Sequence, residues 1–250
     1  MRKIFVLVIA LFCTGCATVY NPATGRNEFV VMDDKAEVRW GQGMAEQFKA
    51  QYPMVNDKEV LDRVDRIGQQ VAAASYRNYL QYRFYVIDMD TQNAFAVPGG
   101  FIFIYRGLLD RLNDDQLAFV LSHEVGHICA RHSVKKLVPN VGAALLTTLL
   151  FHKEGQKPAR ESAQQLYNMV AMGYSRSDEY QADRLGVEGA KKAGFDPKVA
   201  LSVFKLFESL EEEKVSQGAD IPYYLRTHPF PDQRAQNVEK FLKDLEEDEK

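Results

Sequence analysis

The chain has 250 residues and a mass of 28.4 kDa, enough for one large domain or two small ones. With 46% hydrophobic and 26% charged residues it has the composition of a globular protein, which excludes a disordered, collagen-like or disulfide-stapled chain. A net charge of −3 without a basic patch interleaved with aromatics excludes a general affinity for nucleic acid, and no apolar run reaches the length of about 18 residues that a membrane-spanning helix needs.

Arg2 and Lys3 precede an apolar run from Ile4 to Phe12, followed by Thr14, Gly15 and Cys16. A basic start, a short apolar stretch and small residues before a cut site form a secretion signal. The run would span only about 14 Å as a helix, less than half a bilayer core. With Cys directly after Gly15, the segment resembles a bacterial lipoprotein signal, although Cys13 stands where such signals usually carry Leu. The alternative is a plain signal peptide cut nearby. On the lipoprotein reading, residues 1–15 are removed and Cys16 is lipidated, so the protein is held on a membrane surface by its N-terminal lipid. Cys129 then has no partner for an internal disulfide and is expected as a small buried core residue.

Residues 16–32 are rich in Asn, Pro, Thr and Gly, and are expected as a tether that becomes ordered near Phe29. A single domain is expected over 33–250. Asp34 and Glu37 have capping-box spacing, and Ala36, Trp40, Met44 and Phe48 lie on one helical face. A break at 53–57 precedes a second helix with a stripe at Val60, Val64, Ile67 and Val71. The period then changes. Tyr82, Phe84 and Val86 alternate as in a strand, and Ala94–Val97 and Phe101–Tyr105 predict two more strands around Pro98-Gly99-Gly100. Asn113 and Gln116 open a helix expected to run to about Arg131, and Pro139 starts or kinks the next. The apolar run Val141–Phe151 is expected to be a buried helix, and His152 to lie exposed in a polar loop. Further helices are expected at 161–174, 178–193 and 197–213, with Gly194 closing the second and Pro197 opening the third. An irregular stretch at Pro229–Pro231 then leads into a charged C-terminal helix. Short strands among many helices predict an α+β fold, mainly helical, with a small sheet of three or more strands.

His123-Glu124-Val125-Gly126-His127 falls within the predicted 113–131 helix. Histidines four apart project from one helical face, so both imidazoles can reach one tetrahedral Zn²⁺. Glu124 is rotated about 100° from His123 and can stand beside the metal, where a general base is needed. From composition alone the pattern would arise by chance in about 1 chain in 150, which favours a metal site over two solvated histidines. A catalytic zinc also needs a third protein ligand and an open position. The extended zinc motif with Gly seven and His ten residues after the first His fails here, since those positions are Ala130 and Ser133. His132 would point to another side of a continuous helix, where a cap or surface role is expected. Glu179 and Asp183 lie one turn apart in Ser177-Asp178-Glu179-Tyr180-Gln181-Ala182-Asp183. Alone they are equally an acidic first helical turn favoured by the macrodipole. Beside a zinc helix that lacks its third ligand, Glu179 becomes the candidate ligand, and Asp183 a candidate acceptor for the second ring nitrogen of a ligand histidine.

Taken together, these motifs resemble the M48 family of zinc metallopeptidases, which are gluzincins. The resemblance includes Asn21-Pro22-Ala23-Thr24-Gly25-Arg26, Asn93-Ala94-Phe95-Ala96-Val97-Pro98-Gly99-Gly100, the two metal-site motifs, and Thr227-His228-Pro229 with Arg234 beyond it. It implies a zincin-like domain and a zinc-dependent endopeptidase with one Zn²⁺ per chain held by His123, His127 and Glu179, and Glu124 as base. It also implies that Asn93, Ala94, Phe95 and Ala96 belong to an edge strand that pairs with an extended protein substrate. His228 is implied as a second catalytic histidine, able to stabilise an oxyanion. Arg234 is expected to anchor the His228 loop, the alternative being contact with substrate. The expected location is the cell envelope, lipid-anchored and facing the periplasm, with Ala17 compatible with an outer membrane. A second reading is an envelope chaperone or assembly factor whose cleft is covered and whose peptidase activity is latent or weak. A purely structural zinc protein is disfavoured, since such sites usually close with four Cys or His ligands.

Overall fold

The computed structural model describes residues 18–30, 32–140, 173–216, 223–229 and 231–247. The expectations for Cys16, the apolar run at 141–151, His152 and nearly all of the helix at 161–174 lie outside these residues. Gly173 and Tyr174, at the end of that expected helix, are irregular.

In chain order the elements are β1 (Thr18–Asn21), β2 (Arg26–Phe29), α1 (Asp34–Gln51), α2 (Lys58–Ala73), β3 (Arg83–Ile87), β4 (Ala94–Val97) and β5 (Phe101–Tyr105). Then follow α3 (Arg106–Leu109), α4 (Asp114–Cys129), α5 (His132–Asn140), α6 (Arg176–Lys192), α7 (Val199–Ser216), α8 (Tyr223–Thr227) and α9 (Pro231–Glu247). The mainly helical α+β architecture is as the sequence predicts. Three local expectations differ. Residues 18–29, expected as part of an aperiodic tether, form an antiparallel hairpin, with Gly25 at positive φ in its turn. Asn21 closes that turn by accepting from the Ala23 N–H, and its side-chain amide donates to the Cys129 carbonyl at the end of α4. The N-cap of α1 is Asp33 rather than Asp34, because Asp33 accepts from the Ala36 N–H. Glu37 is therefore no capping residue. It is buried and takes two hydrogen bonds from Arg77, at 2.9 and 3.0 Å. Of the two roles expected for Pro139, opening the next helix is not borne out, since α5 already starts at His132.

β5 is the middle of the sheet, parallel to β3 and antiparallel to β4, in the order β3-β5-β4. Its continuous Phe-Ile-Phe-Ile-Tyr run follows from burial on both faces. Ile102 and Ile104 join the larger core with Leu117, Leu121 and Val125 of α4, while Phe101, Phe103 and Tyr105 join Trp40, Met44 and Phe48 of α1. β4 forms an outer edge of the sheet among the described residues, the position that the family resemblance implies for residues 93–97.

α4 starts at the predicted capping box, with Asn113 and Gln116 exchanging side-chain and backbone hydrogen bonds. From Leu117 to Cys129 it is buried all round, more completely than a single core face requires. α6 crosses it closely because the contact positions are small. A Cβ on Gly186 would stand 3.2 Å from the His123 backbone, and one on Gly126 would stand 3.1 Å from the Ala182 carbonyl. This close crossing brings the first turns of α6 onto the His123–His127 face. Ser175 caps α6 through a capping box with Asp178, and Gly194 at φ +89° follows the C-cap, as expected for a left-handed helix end.

Candidate metal centre

Nε2 of His123 and Nε2 of His127 lie 3.0 Å apart, pointing from successive turns of α4 toward one place. The α6 crossing brings Glu179 to the same place, its Oε2 lying 3.6 Å from His123 Nε2 and its Oε1 3.6 Å from His127 Nε2. His228, from the loop after α8, adds Nδ1 at 3.0 Å from Glu179 Oε1 and 3.4 Å from His123 Nε2. The four residues each offer a ligand atom, and these atoms fall within 4.8 Å of one another. All four are buried to within 1% exposure, so the cluster is sealed rather than laid open in a groove.

Asp183 stands one turn beyond Glu179, with Oδ1 2.9 Å from His123 Nδ1. Arg234, from α9, locks both carboxylates. It donates to Asp183 from Nε at 2.8 Å and from Nη2 at 2.6 Å, and Nη1 reaches Glu179 Oε2 at 2.8 Å. Nη1 also donates to the His228 carbonyl at 3.3 Å, so the guanidinium ties the loop to α6, in line with the anchoring role expected from the sequence. Such a buried charge persists only because its partners are charged and close.

These charges push the two site glutamates apart. Burial raises the Glu124 carboxyl above its ordinary value. Burial opposes ionisation of Glu179 too, but Arg234 and His228 outweigh it and hold that carboxyl low. Adjacent carboxyls driven in opposite directions suit one to carry a proton and the other to stay an anionic ligand. Burial, reinforced by the neighbouring histidines, keeps His127 well below its ordinary value, and a neutral imidazole is what a metal requires. Burial works in the same direction on His228, but Glu179 and Glu124 overcome it and raise that residue.

The donor set of imidazoles and a carboxylate suits Zn²⁺. A second observation bears on the fit. Both Glu124 carboxylate oxygens and His228 Nε2 are buried without hydrogen-bond partners among the described residues, Nε2 lying 3.5 Å from Glu124 Oε1. Buried polar atoms are rarely left without a partner, and these three, beside the ligand cluster, call for partners of the kind a hydrolytic metal site provides. The residues present therefore fit a zinc ion.

Of the expected substrate strand, Ala94, Phe95 and Ala96 lie on β4, and Asn93 precedes it. The Phe95 ring packs against Phe48 and Phe103, at 5.0 and 5.1 Å between centroids, so only its backbone faces the strand edge. That edge is occupied at both ends. Tyr224 N–H donates to the Gln92 carbonyl at 3.1 Å and Ser133 Oγ–H to the Ala96 carbonyl at 3.3 Å. Asn93 Oδ1 accepts from Thr227 Oγ1 at 3.2 Å, which fixes the start of the strand to the His228 loop.

His132 is neither a helix cap at the surface nor exposed, contrary to expectation. It is buried, with Nδ1 2.9 Å from His127 Nδ1, because the chain turns sharply after α4 instead of continuing as one helix. Sequence reasoning also missed Tyr174, whose ring stacks on His127 at 3.9 Å, and Gln181, whose Oε1 faces His132 Nε2 at 3.0 Å. An Arg-His pair just past the zinc motif was the available signal for His132. No spacing rule points to Tyr174.

A helix bearing paired histidines and a glutamate, crossed by a second helix that delivers an acidic partner, defines a metallopeptidase domain of the gluzincin arrangement. The model of peptidase family M48 matches residues 60–242, and the chain belongs to that family. It is 26% identical over 261 residues to the mitochondrial metalloendopeptidase OMA1 of Saccharomyces cerevisiae, covering 94% of this chain and 73% of that one. It is 28% identical over 249 residues to the mitochondrial metalloendopeptidase OMA1 of Bos taurus, covering 89% and 45% respectively. It is 25% identical over 223 residues to the beta-barrel assembly-enhancing protease of Yersinia pestis, covering 85% and 45%. The chain thus spans under half the length of the bovine and Yersinia relatives.

Proposed function

We propose that this protein is a zinc-dependent endopeptidase of the cell envelope that hydrolyses extended or misfolded protein substrates. His123, His127 and Glu179 are the metal ligands, with one Zn²⁺ per chain, and Asp183 orients His123 through its Nδ1–H. When bound, Zn²⁺ supplies the Lewis acid that lowers the pKa of a water. Glu124 takes the proton of that water as it attacks the scissile carbonyl and passes it to the leaving amine nitrogen. His228 keeps Nδ1–H on Glu179 and turns its buried Nε2–H, which has no hydrogen-bond partner among the described residues, toward the carbonyl oxygen as negative charge develops there. Asn93 to Ala96 hold the substrate through backbone hydrogen bonds at the edge of β4, once the Tyr224 and Ser133 contacts give way. The observation that carries this reading is the convergence of imidazoles and a carboxylate beside a glutamate whose two oxygens are buried without a hydrogen-bond partner among the described residues.

Attachment by a lipid at Cys16, to a membrane facing the periplasm, rests on the signal-like start of the chain. The name of the Yersinia relative joins proteolysis to beta-barrel assembly, and supports envelope proteins as the substrates of this chain too. Metal analysis of the purified protein, with casein digestion before and after chelation, tests the reading. Zinc at one ion per chain and chelator-sensitive cleavage are expected. Cleavage that survives complete metal removal would refute it.

One observation favours a second reading, a latent enzyme acting mainly by binding extended chains. A His228 ring nitrogen lies within the ligand cluster and its residue is fully buried, so this side chain is placed to close the fourth corner. The His228→Ala variant separates the two readings.

A further inference from the structure

We propose that His132 is a positioning residue for the metal centre: by accepting a hydrogen bond from His127 Nδ1–H it fixes the tautomer and aim of that ring, and Gln181 in turn fixes His132. The inference rests on the reading of His127 as a metal ligand.

In an unbroken helix, residue 132 would sit five positions on, about 140° around the axis from His127, and could not touch its ring. The chain prevents this. α4 ends at Cys129, and Arg131 adopts φ +56°, the single positive φ of a non-glycine residue among those described. Side chains other than glycine avoid that region, so something must hold Arg131 there. Its guanidinium donates to the Met32 carbonyl at 3.1 Å, pairs with Asp34, and lies 3.6 Å from Glu37. The reversal starts α5 at His132 and folds its ring back under His127, where the two Nδ1 atoms stand 2.9 Å apart.

A hydrogen bond between two imidazole nitrogens needs one proton, and the surroundings decide whose it is. His132 Nε2 faces Gln181 Oε1 at 3.0 Å and Asp178 Oδ1 at 3.5 Å. A carboxylate only accepts, so Nε2 of His132 carries the proton and a neutral ring leaves Nδ1 as acceptor. His127 then donates from Nδ1, and its Nε2 lone pair is free to face the metal position, 3.0 Å from His123 Nε2. The Tyr174 ring stacks on His127, and the Tyr174 hydroxyl pairs with Ser133 Oγ at 2.9 Å.

The two ligand histidines are therefore held by unlike partners. His123 leans on a carboxylate clamped by Arg234, whereas His127 leans on a neutral imidazole backed by an amide. Asp183, which supports His123, and Gln181, which backs His132, both come from α6, the helix that carries Glu179, while His132 itself comes from α5.

The test is zinc affinity of the full chain, measured by competition with a chromophoric chelator and independent of peptidase activity. His132→Leu should weaken zinc binding about 10- to 100-fold, while His132→Asn, whose Oδ1 can stand where Nδ1 stood, should stay within about threefold of wild type. A His132→Leu protein that binds zinc as tightly as wild type overturns the proposal. So does an Asn variant as weak as the Leu variant, which would make the effect one of packing. If His132→Leu does not fold, ring ¹⁵N spectra of the zinc-loaded wild type decide: protons on His127 Nδ1 and His132 Nε2 support the proposal, and a proton on His132 Nδ1 overturns it. A folded wild-type protein that takes up no zinc sinks the metallopeptidase reading along with it.

Discussion

Replacing Arg234 with methionine removes a guanidinium that touches Asp183 twice, at 2.8 and 2.6 Å, and Glu179 once, at 2.8 Å. All three residues are at most 1% exposed, so water cannot take over. Breaking a buried pair by deleting one partner costs about 3–5 kcal/mol, because the remaining charge is stranded. Linkage gives a figure of the same order. The Asp183 carboxyl is held at about 2, against burial, chiefly by Arg234 and also by His123. A drop of nearly two units from 3.8 corresponds to about 2 kcal/mol for that carboxylate alone, and Glu179 adds to it. For a domain of this size the variant should lose roughly 6–20 °C in Tm. The assay is urea and thermal unfolding of metal-free protein at neutral pH, followed by circular dichroism. The loss should be smaller with zinc bound, since the ion then partners Glu179, and Asp183→Asn in the same background should recover part of it. The sign of the pH dependence follows as well. A depressed carboxyl pKa stabilises fully above its unfolded value, so the wild-type contribution holds above about pH 4 and is lost as pH falls toward 2. An Arg234→Met protein within 1 kcal/mol of wild type would show that the stranded-charge reasoning is wrong.

Other substitutions probe separate links. Glu124→Gln should keep fold and zinc content but lower casein cleavage by about 10²- to 10⁴-fold, the usual worth of a general base; undiminished cleavage would remove Glu124 from that role. His228→Ala should lower turnover if the ring donates to the oxyanion and raise it if the ring closes the fourth corner, with casein hydrolysis at saturating zinc as the readout. Asn113→Ala breaks the capping box of α4 and should cost about 1 kcal/mol in urea unfolding, with little change in zinc affinity; a larger loss of zinc than of stability would mean that the helix start bears directly on the site.

Much of this molecule is local and was therefore readable. The β5 run, the capping box of α4 and the Gly194 stop depend on residues within a few positions of one another. The His123–His127 pairing needs only helix periodicity, and Glu179 followed once a zinc helix was seen to lack a ligand. Long-range burial was not readable. Asp34 and Glu37 have the spacing of a cap, yet Asp33 caps, because Glu37 is drawn inward by Arg77, forty residues away. The hairpin at 18–29 has no hydrophobic period, since one of its holds is a side-chain amide on the carbonyl of Cys129.

The amino-acid order by itself determined the chemistry on offer: two imidazoles on one helical face, a glutamate beside them and an acidic turn downstream. Side-chain identity and helical pitch suffice for that. Only the tertiary structure decided how those groups are held. The close crossing at Gly126 and Gly186, the grip of Arg234 on two carboxylates, the His228 ring in the cluster and the return of His132 beneath His127 all join residues from separate elements. Their geometry depends on the direction the backbone takes between elements. That direction is set by packing and by one left-handed residue at Arg131, neither of which leaves a periodic trace in the sequence.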